Sequence, residues 1–153
     1  MRMAAFGVLD SLAAAAAVGV LAASAAVAQI QDTRTSNPRD LRPLASFSGI
    51  SDQAERSRAL FNEIAKVVTH PRWQLAPMEM AWEGKSVSQI CQQLKDPARN
   101  GGRTLALLHE HLAKDDLVAW GWAPGEGREP APGSQQQLGE LAQAWIDNGA
   151  QCP

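Results

Sequence analysis

The sequence predicts an all-α domain. No stretch alternates apolar and polar residues with the period of a strand, apolar residues recur at helical spacing in four segments, and three of those segments follow a serine able to cap a helix. Two segments with neither pattern precede the domain. Residues 1–28 read as a secretory signal: Arg2 stands ahead of an alanine-rich apolar run from Leu12 to about Ala23, and Ala26-Val27-Ala28 supplies the small-residue cleavage site. The run is too short and too alanine-rich for a spanning helix, which needs roughly 20 strongly apolar residues. The expected product is therefore a periplasmic or secreted chain starting near Gln29, with no membrane span after cleavage. Residues 29–50, with two prolines among polar side chains and no sustained period, read as a flexible tether.

Residues 51–153 form the predicted single helical domain. Ser51 is the expected cap of the first helix, with Asp52 and Glu55 in its opening turns. Leu60, Phe61, Ile64, Ala65, Val67 and Val68 share one face, and the helix ends before Pro71. Ser86 caps a second helix over Val87 to Lys95, whose stripe of Val87, Ile90, Cys91 and Leu94 turns Cys91 inward. "DPARNGG", residues 96–102, breaks the chain. A third helix follows from about Arg103 to Lys114, with Leu105, Leu108 and Leu112 on its apolar side. "DDLVAWGWAPG" allows one further helical turn, and "GEGREPAPGS" is an irregular surface loop. Ser134 and Gln137 make a capping box for the last helix, which carries Leu138, Leu141, Ala142, Trp145 and Ile146 on one face and ends at Gly149. Packing the first and last helices together would carry Cys152 back to Cys91.

A formal charge of −2 with no basic stripe implies neither a nucleic acid nor an anionic membrane as partner. The two cysteines of a chain bound for an oxidising compartment are by default a disulfide, with two free thiols as the alternative. The sites of catalysis that can be sought in the residues fail on spacing. "HEHLA" lacks the second histidine of a zinc-protease motif, because position 113 is Ala113. His109 and His111 stand about 200° apart on a helix, so His109 flanks the leucine stripe and His111 points outward. Asp115, Asp116 and Glu110 read as a solvated helix end. No serine stands in a nucleophile elbow, and the glycines of "GEGRE" neither follow a strand nor open a helix. The expectation is a protein that is not an enzyme. Trp145 reads as core. Trp73, Trp82, Trp120 and Trp122 in the loops either cover the core or form a stacking surface for a small ligand. Met78 and Met80 are core filler or soft ligands.

"FNEIAKVVTHPR", "LAPMEMAWEGKSVSQICQQLKDPARNGG", "GWAPGEGREPAPG" and "AWIDNGAQCP", in that order, resemble small exported c-type-cytochrome-like proteins labelled isoquinoline 1-oxidoreductase subunit. The resemblance runs from about Arg58 to Pro153 and implies a cytochrome-c-like arrangement of four to five short helices with long loops. It also implies a partner, a dehydrogenase or hydroxylase subunit whose electrons the haem-bearing relatives pass on. In such proteins the segment after "THPR" bears C-x-x-C-H attachment motifs; here Arg72 runs directly into Trp73 and no C-x-x-C-H occurs. Covalent c-type haem needs that motif. The resemblance therefore implies an accessory protein without covalent haem and with no other cofactor. The alternative it leaves is a carrier holding haem non-covalently through His70 and Met80 or Met78.

Overall fold

Asp52, not Ser51, caps the first helix: its carboxylate accepts a hydrogen bond from Glu55 N at 2.6 Å, and helix α1 runs over Gln53–Val68. An extended Asp52 offers its side chain to the orphan amide donors of the first turn, as either residue could by composition. The structure, a computed structural model, describes residues 40–71, 82–125 and 127–153. All of these belong to one unit, Ser36–Pro153, so the expected signal segment and the first part of the expected tether lie outside the described residues. Among the described residues there are five α-helices, one 3-10 turn and no strand.

Helix α1 stops where Pro71 would clash with a continued turn, and Thr69 Oγ1 closes it by donating to Ala65 O at 2.6 Å. Helix α2, Val87–Lys95, starts on a reciprocal capping box in which Ser86 Oγ accepts from Gln89 N and Gln89 Oε1 accepts from Ser86 N. It buries Ile90, Cys91 and Leu94. Asp96, held extended ahead of Pro97, ends it. The buried Asn100 then ties the loop down, donating through Nδ2 to Leu94 O and Arg103 O and accepting from Arg103 N. Helix α3 occupies Leu105–Lys114 with Thr104 as its cap, and a single turn, α4, follows over Asp116–Ala119. Helix α5 spans Gln135–Asp147, capped by Ser134.

The core lies where α5 packs against both α1 and α3. Phe61 of α1 meets Trp145 of α5 with ring centroids 5.1 Å apart and planes tilted by 54°, within the separation at which aromatic pairs attract. On the other side Gly139 brings α5 close to α3, and a Cβ built there would stand 2.7 Å from Ala113 Cβ and 3.2 Å from its Cα. Gly139→Ala is therefore expected to destabilise despite its better helix propensity. The overpacking costs about 1–3 kcal/mol, against a propensity gain of about 1 kcal/mol. Thermal melting checks this, and a higher Tm for the variant would contradict it.

The expected tether over 29–50 needs correction in its second half. Leu41 and Phe47 are buried in the main core, and Leu44–Phe47 forms the 3-10 turn that sits on α1 and α5. Two prolines and a short polar run hid this apolar pair, and two arginine contacts tie the segment to α1. Arg42 reaches the buried Glu63, and the Arg56 guanidinium donates to Ile50 O, with Nε at 2.8 Å.

The tail returns as the spacing predicts. Gly149, at φ +91, takes the left-handed conformation that ends α5, and Ala150 follows at φ +48. Cys152 then bonds Cys91, with Cα atoms 5.6 Å apart. No described helix is long and apolar enough to cross a membrane.

Candidate functional site

The site suggested by sequence lies at the end of α1. His70 is half-buried one residue past its C-cap, and its backbone N–H donates to Val67 O at 2.9 Å. Met78, Met80 and Trp73 lie outside the described residues. Chain description resumes at Trp82, which is buried in the main core, and whose Nε1 has no hydrogen-bond partner among the described residues. Among the described residues no group of three or more His, Cys, Asp or Glu side chains is placed to hold a metal ion.

The tryptophans divide by environment. Trp145 is 1% exposed, as its place on the apolar face of α5 requires. Trp122 packs against the core and donates through Nε1 to Pro132 O at 3.1 Å, helping to close the glycine- and proline-rich loop that Ala131 N also pins to Gly121 O. Of the two readings of the loop tryptophans, core cover or exposed stacking surface, Trp120 does not fit the first. It caps the C-terminus of α4 at 62% exposure, three residues after Leu117 at 64%. One turn of helix spaces them on the same side, which is why neither can reach the core that holds Val118.

His111 also departs from its expected outward position. It is partly buried, and its Nδ1 lies 2.9 Å from Asp115 Oδ2. Asp115 is no mere solvated end: Oδ1 accepts from Leu117 N at 2.8 Å, so the residue caps α4 while its other oxygen holds the histidine of α3. The Leu117 amide first, and then His111, holds the Asp115 carboxyl below its ordinary value. The four-residue spacing across the end of α3 was the signal for this contact. The pair borders an open depression of about 440 Å³ with Arg103, Leu107 and Glu110. A second open groove, of about 670 Å³, runs between α3 and α5 past Leu44, His109, Ala113 and Ala144. Neither is lined by a serine, threonine or cysteine. The His111–Asp115 contact can orient an imidazole, and together with the Leu117 amide it joins one helix end to the next.

A cluster missed by sequence reasoning is centred on Glu63, 2% exposed on the inner side of α1. Its Oε2 accepts from Arg42 Nε at 2.9 Å, and its Oε1 accepts from Arg42 N at 2.9 Å and pairs with Lys66 Nζ at 2.7 Å. The Arg42 guanidinium also lies 4.4 Å from the centre of the Phe47 ring. The signal was available: Glu63 stands between Leu60 and Val67 at the spacing of the buried stripe, where an unpaired charge would not be tolerated. Burial alone would push this carboxyl up. The hydrogen bonds from Lys66, the Arg42 amide and the Arg42 guanidinium outweigh burial and hold it below the ordinary 4.5. Its contribution to stability is thus present above the unfolded-chain pKa and is lost as pH falls through the lower folded-state value. Glu63→Gln is expected to cost roughly 1–2 kcal/mol at pH 7 and to flatten the acid limb of the stability profile. Melting the parent and variant between neutral and acid pH tests this; parallel profiles would contradict it.

No family model, curated protein or solved structure matches the chain.

Proposed function

We propose that this is a non-catalytic exported accessory protein, a haem-deficient relative of the cytochrome-like subunits of oxidoreductases, that retains binding to a partner subunit. The observation that carries the reading is the junction of "THPR" with "WQLAP", where the resembling proteins hold their C-x-x-C-H segment and this chain holds none. A cytochrome-c-like arrangement belongs to the same proposal. Its support is the all-helical unit in which the first and last long helices pack together and a disulfide ties the C-terminal tail to α2. Partner binding draws support from Trp120, exposed near the exposed Leu117, since tryptophan is among the side chains that protein interfaces bury as anchors.

Expression in a host competent in cytochrome maturation tests the reading. The exported protein is expected to show no Soret band and to retain no haem after acid acetone; covalently retained haem would refute it. The alternative carrier would use His70 together with Met80 or Met78, which follow it within ten positions of sequence. Titration of the purified protein with haem is expected to give no saturable low-spin spectrum. Such a spectrum, lost in Met80→Ala, would replace the accessory reading with the carrier.

A further inference from the structure

The Cys91–Cys152 bridge is asymmetric in a way that bears on thiol chemistry. Cys91, on the inner face of α2, is 0% exposed and packed among the core side chains, whereas Cys152 lies in the tail and is only partly buried. Thiol–disulfide exchange proceeds by attack of a thiolate on one sulfur, with the other leaving, so access decides which sulfur is attacked. The tail does not depend on the bridge alone for its position. Lys95 Nζ donates to Ala150 O at 2.7 Å, Gln151 N donates to Ser57 Oγ at 2.8 Å, and Trp145 Nε1 donates to Gln151 O at 3.0 Å. Ala150 N also donates to Trp145 O at 2.9 Å, fixing a left-handed alanine that an unrestrained chain would leave.

We propose that Cys152 is a thiolation site: in the folded protein a small thiol such as glutathione exchanges with the bridge at Cys152 and never at Cys91. The incoming thiolate forms a bond to Cys152 Sγ, the Cys91–Cys152 bond breaks, and its electron pair leaves on Cys91 Sγ, which takes a proton. A mixed disulfide sits in the tail and a thiol stays in the core. The four hydrogen bonds keep the tail seated beside α1, α2 and α5, so Cys91 remains next to the mixed disulfide and can expel the glutathione by the reverse step. The bridge is thus opened and closed from one side without unfolding the helices.

Exposing the exported protein to reduced glutathione under non-denaturing conditions, quenching with acid at short times and mapping the peptides tests the proposal. Glutathione is expected on the Cys152 peptide alone, with a free thiol on the Cys91 peptide and helical circular dichroism unchanged. Glutathione on the Cys91 peptide would overturn it, as would exchange that occurs only when denaturant unfolds the chain. The single variants supply a second reading. Cys91→Ala is expected to present a thiol that reacts with a disulfide reagent in the folded state, while the thiol of Cys152→Ala reacts only after denaturation. A folded Cys152→Ala whose thiol reacts as fast as that of Cys91→Ala would overturn the assignment.

Discussion

Trp145→Ala is expected to cost about 3–5 kcal/mol, enough to remove much of the 5–15 kcal/mol by which a domain of this size is stable. The ring is 1% exposed at the crossing of α5 with α1, so truncation leaves a cavity bounded by Phe61 and the surrounding core. Collapse into that space is limited by one attachment, and a second is lost with the ring. Ser57 Oγ donates to Trp145 O at 3.2 Å, and the indole N–H is the donor that holds Gln151 O, so the tail loses an anchor together with the packing. Trp120→Ala, by contrast, is expected to change stability by no more than about 0.5 kcal/mol, because its ring is largely in water. Denaturant unfolding of the two variants side by side measures the contrast. Equal losses would mean that Trp145 does not occupy the core position described.

Removing the bridge is the second large effect. The cysteines are 61 residues apart in sequence, and closing such a loop restricts the unfolded chain by roughly 4 kcal/mol on the chain-entropy account. The double variant Cys91→Ala with Cys152→Ala is therefore expected to melt on the order of 10–20 °C below the parent. The tail's hydrogen bonds do not offset this, since they act on the folded state and are the same in both proteins. A Tm within a few degrees of the parent would show that the unfolded chain is already compact around these two positions, or that the bridge stores strain equal to its entropic benefit.

Most of the secondary structure was legible in local sequence. Ser86 marked the start of α2 to the residue, and the break at residues 96–102 marked its end, because caps, prolines and glycines act on the backbone within a turn. The boundary of α1 was less secure, since Ser51 and Asp52 are both competent caps and the choice between them depends on the approach of the preceding segment. That segment was misread for the same reason. Leu41 and Phe47 have no period to announce them, and their burial depends on Glu63, more than fifteen residues further on, to receive Arg42. His111 was likewise misplaced when assigned by helical angle alone, because the carboxylate that holds it belongs to the cap of the next turn.

The candidate site was legible only as a junction in the chain. His70 could be placed after α1 by the proline that follows it, while Met80 gains meaning only from what it approaches in space. What the sequence by itself determined is local: an all-helical domain, the position of its caps and breaks, the inward turn of Cys91 and the lack of a haem-attachment motif. These follow from periodicity, capping and covalent chemistry, which act within a few residues. The tertiary structure alone decided that the segment before α1 is part of the core, that Glu63 is a buried paired charge, and that one cysteine of the bridge is fully buried while the other is only partly so. Each is a matter of burial, and burial is set by residues distant in sequence that meet only when the chain has folded.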